Sequence, residues 1–302
     1  MSGFPKVLES TQDLSKGQIS TLLSMAKSLK EGQNTPFFFD QEQRPFLATL
    51  FLENSTRTKT SFAIAALKLG AHYIDFNVST SSLSKGENLE ETLLTLKYQG
   101  VDACVIRTPN SNELDKFKKD PPLCLINGGD GTNQHPTQAL LDLFTLFELG
   151  LDPQGKTVAI VGDIAHSRVA NSLVDLLQRF GAKVIFCGPE ECLPKSTTGA
   201  VMVTESLDEA LELSDVIYTL RIQKERHTGP TAYYDSYHKL FGLNLNKIMG
   251  LKKGPVILHP GPVNIGVELS ADVLKSPFYK GYEQVINSIY MRMAIISAML
   301  GN

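Results

Sequence analysis

Short apolar runs alternate along this chain with longer stretches in which apolar residues recur every three or four positions. The short runs, at 46–52, 71–78, 101–107, 123–126, 157–161, 183–187, 215–220 and 256–258, predict β-strands. The periodic stretches predict amphipathic helices over 14–30, 61–69, 89–98, 136–149 and 285–300. In the second of these, Phe62, Ala65, Ala66 and Leu69 share one face. Alternating strands and helices predict an α/β class built on parallel sheets with crossover helices. A break at Leu151-Asp152-Pro153-Gln154-Gly155 reads as a linker. The expectation is therefore two doubly wound parallel-sheet domains, at 1–140 and 150–284, with the terminal helix 285–302 packing back on the first.

Polar residues gather just after the predicted strands. Ser55-Thr56-Arg57-Thr58 lies between the strand 46–52 and the helix that begins at 61. Its hydroxyls and guanidinium, beside the free N–H groups of a helix start, are the chemistry of an anion cradle. The alternative is that Ser55 and Thr56 only cap the helix and Arg57 is a surface charge. Similar clusters follow later strands: the glycine-rich turn 127–134 with His135, Pro136 and Gln138; Asp163 to Arg168; Arg221-Ile222-Gln223; and His259-Pro260-Gly261-Pro262. In open α/β sheets ligands bind outside the carboxyl ends of strands. An active site in the crevice between the two domains is the expectation. Lys85 stands on a polar loop, 79–87, whose serines and glycine predict mobility and poor packing on its own core.

Charge sharpens this reading. The formal net charge of the 302 residues is −3, so no overall basic field draws the chain to nucleic acid or an anionic membrane, and any anion site must be built locally. Hydrophobic content of 42% and charged content of 20% are those of an ordinary globular protein. No apolar stretch approaches the roughly 20 residues of a membrane span, and Met1-Ser2-Gly3-Phe4-Pro5 predicts no signal peptide. Cys104, Cys124, Cys187 and Cys192 form no Cys-x-x-Cys pair and read as buried reduced thiols. A cytoplasmic protein with no metal and no cofactor is the working expectation. Lys118, Lys119 and Lys252 read as solvated charges, and His72, His166, His227 and His238 as structural, with His227 close enough to Arg221 to support it.

Taken together and in order, Ser55-Thr56-Arg57-Thr58, Lys85-Gly86-Glu87, Arg107, His135-Pro136-Thr137-Gln138, Arg168, Arg221-Ile222-Gln223 and His259-Pro260-Gly261-Pro262 resemble the aspartate/ornithine carbamoyltransferase family, and within it the aspartate-specific catalytic chains. The resemblance covers essentially the whole chain. It implies transfer of the carbamoyl group from carbamoyl phosphate to L-aspartate, an early step of de novo pyrimidine biosynthesis. It implies that Ser55, Thr56, Arg57 and Thr58 hold the phosphate and that Arg107 bridges phosphate and carbonyl. His135 and Thr58 would donate to the carbonyl oxygen, and Gln138 with Gly261 and Pro262 would fix the amide. Arg168 and Arg221, helped by Gln223, would each grip one aspartate carboxylate. The resemblance also implies a cis peptide before Pro262, and a homotrimer in which Lys85 and Ser82 complete the neighbouring chain's site. It leaves open a higher assembly with regulatory or dihydroorotase-type chains.

Three rivals are weaker. Ornithine carbamoyltransferases share the first motifs but carry His-Cys-Leu-Pro where this chain has His259-Pro260-Gly261-Pro262, and Arg221 suits an anionic acceptor. A nicotinamide enzyme would need Gly-x-Gly-x-x-Gly after 158–161, and Gly162-Asp163-Ile164-Ala165 lacks that spacing. A non-catalytic relative would have lost a cradle residue, and none is lost. No covalent nucleophile is evident. Lys59, Ala63 and Ile265 depart from the family pattern; the first two suggest that one ion pair on the helix is missing.

Overall fold

A computed structural model describes residues 3–33, 44–195, 200–222 and 232–301. Its strands, in chain order, are β1 (Val7–Leu8), β2 (Phe46–Phe51), β3 (His72–Phe76), β4 (Ala103–Thr108), β5 (Cys124–Asp130), β6 (Thr157–Val161), β7 (Lys183–Cys187), β8 (Met202–Thr204), β9 (Val216–Thr219) and β10 (Val256–Leu258). The helices are α1 (Lys16–Lys30), α2 (Thr56–Lys68), α3 (Leu89–Tyr98), α4 (Pro136–Glu148), α5 (Arg168–Arg179), α6 (Leu207–Leu213), α7 (Ala232–Phe241), α8 (Leu245–Met249) and α9 (Gly281–Leu300). The chain divides into two compact units, Met1–Phe144 with Val285–Asn302, and Thr145–Gln284.

Each unit is built on one parallel sheet. In the first, the strand order is β1-β5-β4-β2-β3; in the second it is β10-β9-β6-β7-β8. The two orders share a logic. From β2 in the first unit, after the edge strand β1, and from β6 in the second, the chain winds to one edge and then returns to the other side of that strand. The topological switch point thus falls between β2 and β4 in the first unit and between β6 and β9 in the second.

Burial on both faces explains the apolar runs. Ala48, Leu50, Cys104, Ile106 and Leu125 form one core with Leu89, Leu93 and Leu96 of α3. Ala159, Val161, Ile185, Ile217 and Ile257 form the other with Leu207 and Leu211 of α6. Burying each such Leu or Ile side chain contributes roughly 1.5–3 kcal/mol before entropy is counted. Helix α1 follows the same rule, with Ile19, Leu22, Met25, Ala26 and Leu29 on its buried face. All four cysteines are buried and free, and burial pushes the Cys124 and Cys187 thiols up to about 12. They are packing groups rather than nucleophiles. No helix among the described residues is long and apolar enough to cross a membrane.

Two expectations are corrected. The helix expected from residue 61 begins at Thr56, so Thr56, Arg57 and Thr58 occupy its first turn rather than a preceding loop. Apolar periodicity could not show this, because a first turn that faces solvent carries no apolar stripe. The segment 79–87 is also more structured than its composition suggests. It folds as two 3-10 turns, Val78–Thr80 and Ser82–Lys85, and Leu83 and Val78 pack against the core of the first unit. Lys59 departs from the family pattern without being left over: its Nζ is 2.6 Å from Asp75 Oδ1 on β3.

Glu9, just after β1, is 2% exposed, and neither carboxyl oxygen has a hydrogen-bond partner among the described residues. Burial, reinforced by Asp130, Asp115 and Asp13 and opposed by Lys118, raises its pKa from the ordinary 4.5 to about 8. Folded Glu9 therefore keeps a proton that the unfolded chain loses between about pH 4.5 and 8. Its contribution becomes steadily less favourable as pH rises through that window. Glu9→Gln is expected to raise the melting temperature relative to the parent more at pH 8 than at pH 5. A gap that stays constant between those pH values would contradict the buried neutral carboxyl.

Candidate active site

In the first unit the predicted residues other than Lys85 gather around the switch point between β2 and β4. Phe51 pairs with Arg107 in the sheet register, and Leu52 N–H donates to the Arg107 carbonyl at 2.8 Å. The turn leaving β2 and the end of β4 are thereby fixed side by side. Ser55 is the N-cap residue of α2 but makes no side-chain hydrogen bond to the helix. Ser15, Asn88, Ser167, Ser206 and Asn244 all close onto the amides of their own helices. The α2 start thus keeps its amide donors and positive dipole end uncovered by its own cap, with Thr56 and Arg57 exposed beside it. Thr58, in the same turn, is buried.

Arg107 is half-buried at the end of β4, and its Nε donates to Glu53 Oε2 at 3.3 Å. Nothing in the spacing of the sequence pairs residues 53 and 107. The neighbouring strand β5 continues through the glycines that the sequence suggested as a turn. A Cβ at Gly128 would lie 3.2 Å from both the Ile106 carbonyl oxygen and Val105 Cγ1, so this close approach to β4 favours glycine. Asp130 then organises the loop. Its carboxylate accepts from Asn112 N–H at 2.7 Å, from Gln134 N–H at 2.9 Å, and from the side-chain amides of Asn127 and Asn133, each at 2.9 Å.

That loop delivers His135 to the start of α4, where Pro136 takes the first helical position. His135 is buried, and its Nε2 lies 3.4 Å from Thr58 Oγ1. Two polar atoms at that separation leave a position about 3 Å from each, which a single oxygen could share. Gln138 is buried, and its amide donates to Asp142 Oδ1 at 2.9 Å. Lys85 does not join this group by any hydrogen bond or ion pair among the described residues. It ends the exposed 3-10 turn beyond the outer strand β3.

The second unit places Arg168 and Arg221 at its own switch point. Leu220 N–H donates to the Val161 carbonyl at 2.8 Å, which holds the end of β9 against the end of β6. Gly162, at φ +126°, makes the turn out of β6; a Cβ there would meet the Leu220 carbonyl oxygen at 3.0 Å. The loop leads past buried Asp163, which bonds His166 Nδ1 at 2.7 Å, to Ser167 capping α5 and to Arg168 in its first turn.

Arg221 stands two residues beyond β9, half-buried. The backbone beside it is fixed on both sides. Ile222 N–H donates to Glu268 Oε1 at 2.8 Å, and the Ile222 carbonyl accepts from Asn264 Nδ2 at 3.0 Å. Asn264 is bound in turn to both oxygens of Glu268, each at 2.7 Å. Glu268 is buried, and desolvation raises its carboxyl above the usual range. This carboxyl ties the segment after Pro262 to the end of β9, a link between distant positions with no signature in the sequence.

Within the last motif, Gly261 N–H donates to His259 Nδ1 at 2.8 Å, which leaves the proton of a neutral ring on Nε2. The Gly261–Pro262 peptide is cis, as the resemblance implied. Gln223 and His227 lie outside the described residues.

Known proteins resemble this chain along nearly its whole length. The model of the aspartate/ornithine carbamoyltransferase carbamoyl-P binding domain matches residues 6–148, and that of the Asp/Orn binding domain matches residues 154–299. An aspartate carbamoyltransferase catalytic subunit of Listeria monocytogenes serotype 4b is 41% identical over 296 residues, covering 98% of this chain and 96% of its own. The corresponding subunit of Streptococcus pneumoniae is 38% identical, covering 97% and 95%. Among solved structures, Trypanosoma cruzi aspartate transcarbamoylase in complex with aspartate and phosphate aligns with a TM-score of 0.83 at 29% identity, covering 98% of this chain and 95% of that one. The same enzyme in complex with carbamoyl phosphate aligns with a TM-score of 0.82 at 29% identity, covering 98% and 96%. With both domain models matched in order along nearly the full length, this chain belongs to the aspartate/ornithine carbamoyltransferase family.

Proposed function

We propose that the protein transfers the carbamoyl group of carbamoyl phosphate to the amine of L-aspartate, giving N-carbamoyl-L-aspartate and phosphate. One observation carries the chemistry: an N-terminal helix turn left open by its own cap stands beside Arg107 and beside the Thr58–His135 pair. The first gives donors for a phosphate, and the last gives donors for a carbonyl oxygen.

On this reading the α2 amides, Ser55, Thr56, Arg57 and Thr58 hold the phosphate, and Arg107 spans phosphate and carbonyl. The aspartate amine attacks the carbonyl carbon, a C–N bond forms, and the carbonyl electron pair moves onto oxygen. Thr58 and His135 stabilise that developing charge. Gln138, with Gly261 and Pro262, orients the amide. When the intermediate collapses, the carbon–oxygen bond to phosphate breaks, and the departing phosphate accepts the proton lost by the amine. Arg168 and Arg221 hold the two aspartate carboxylates, because a guanidinium fork matches a carboxylate bidentately; Gln223 is assigned to the same task by resemblance. No side chain forms a covalent intermediate, which agrees with thiols kept protonated by burial.

The test is phosphate release from carbamoyl phosphate with aspartate, ornithine or no acceptor. Aspartate alone is expected to support release with matching carbamoyl-aspartate. Release driven by ornithine would overturn the assignment.

We further propose a homotrimer in the cytoplasm, where buried thiols stay reduced, with Lys85 and Ser82 completing the site of a neighbouring chain. Both residues are exposed on a turn anchored to its own core by Leu83, which suits side chains offered to a partner. Inactive Lys85→Ala and Arg57→Ala chains, mixed and reassembled, are expected to regain activity in sites that carry neither change. Mixed trimers with no activity would exclude sharing.

A further inference from the structure

Helix α9 brings Arg292 into the first unit. Arg292 is 2% exposed and is the largest of the fully buried side chains among the described residues. Its neighbours on the helix, Met291, Ala294 and Ile295, are buried and apolar. Withdrawing a guanidinium from water is costly, and an apolar residue of similar size is often equally stable in such a place. Packing alone therefore does not account for the charge.

Its contacts do. The guanidinium lies over the Phe62 ring, 5.0 Å from the centroid, and Nη1 donates to Ser61 Oγ on α2. Ser61 Oγ is in turn within bonding distance of two carbonyls of the first turn, Arg57 at 2.6 Å and Thr58 at 3.0 Å. The carboxylate whose field favours the charged form is Asp142 of α4. That carboxylate accepts from the Gln138 amide. Burial lowers the Arg292 pKa to about 9, so the group is still a cation at neutral pH. A chain of contact thus runs from this buried cation to the residues of the Ser55–Thr58 turn.

We infer that Arg292 is a positioning residue of the carbamoyl phosphate half-site, holding the first turn of α2 through Ser61. The inference rests on the proposed function, which assigns that ligand to those residues. Arg292 touches no reacting atom; its effect passes through the backbone of Arg57 and Thr58. Its loss should therefore weaken carbamoyl phosphate and phosphate binding selectively and leave aspartate binding alone.

The test uses the full chain with Arg292→Met, which keeps length and fills the core, Ser61→Ala, which keeps the guanidinium but removes its bridge, and the double variant. Calorimetry with inorganic phosphate and steady-state kinetics with both substrates give the readout. Each single variant is expected to raise the phosphate Kd and the carbamoyl phosphate KM by roughly tenfold, the scale of a hydrogen bond to a charged group. The aspartate KM should not move, and the double variant should be no worse than Arg292→Met. Folded variants whose phosphate Kd and carbamoyl phosphate KM stay within about twofold of the parent would overturn the inference, as would single effects that simply multiply in the double variant. Should Arg292→Met fail to fold, unchanged phosphate affinity in Ser61→Ala would be enough to overturn it. A parent protein that does not turn over carbamoyl phosphate would remove the proposed function and this inference with it. Unaffected variants of an active parent would remove the inference only.

Discussion

Arg57→Ala is expected to lower turnover by on the order of 10²–10³, the scale measured when one preorganised donor to developing charge is removed. The side chain is exposed in the first turn of α2, and the buried face of that helix is formed by Thr58, Ser61, Phe62, Ala65 and Ala66. Its loss therefore opens no cavity and unpairs no buried group, so stability should change by no more than about 0.5 kcal/mol. Thermal unfolding and circular dichroism check the fold, and phosphate release checks the rate. A well-folded Arg57→Ala protein with near-parental turnover would refute the phosphate assignment.

Arg221→Ala is expected to act on the other substrate. If this guanidinium holds an aspartate carboxylate, removing it strands a desolvated charge at a cost on the order of 2–5 kcal/mol. That is about thirtyfold or more in the aspartate KM, with the carbamoyl phosphate KM little changed. The backbone at this position does not depend on the side chain, because Glu268 and Asn264 hold Ile222 from both sides. A loss of aspartate affinity would thus report a missing contact rather than a displaced strand. Steady-state titration of aspartate at saturating carbamoyl phosphate makes the measurement, and an unchanged aspartate KM would disprove the role.

Much of the molecule was legible in the order of its residues. Apolar runs set β6, β7 and β10 at the expected bounds, and α3 likewise, because strands buried on both faces and a helix with one buried stripe must write their period into the chain. The motif residues were legible for a related reason: hydroxyls, arginines and a histidine placed just past strand ends have few purposes in an α/β fold. Short or marginal elements were not. The strands β1 and β8 hold only Val7–Leu8 and Met202–Thr204, and such lengths are stabilised by neighbours in the sheet rather than by a local pattern.

The sequence by itself determined the fold class, the family and the chemical kinds gathered at each strand end, since periodicity and motif order are properties of the chain. Only the tertiary structure decided which of those groups meet. Arg107 finds Glu53 because β2 and β4 are neighbours across the switch point, and Thr58 reaches His135 because two loops end at the same edge of one sheet. Glu268 anchors the strand end at Arg221 across 46 positions, and Arg292 reaches Ser61 across 231. Such pairs leave no local trace, because a hydrogen bond or ion pair depends on distance in space, and distance between remote residues is fixed only when the sheets and helices have packed.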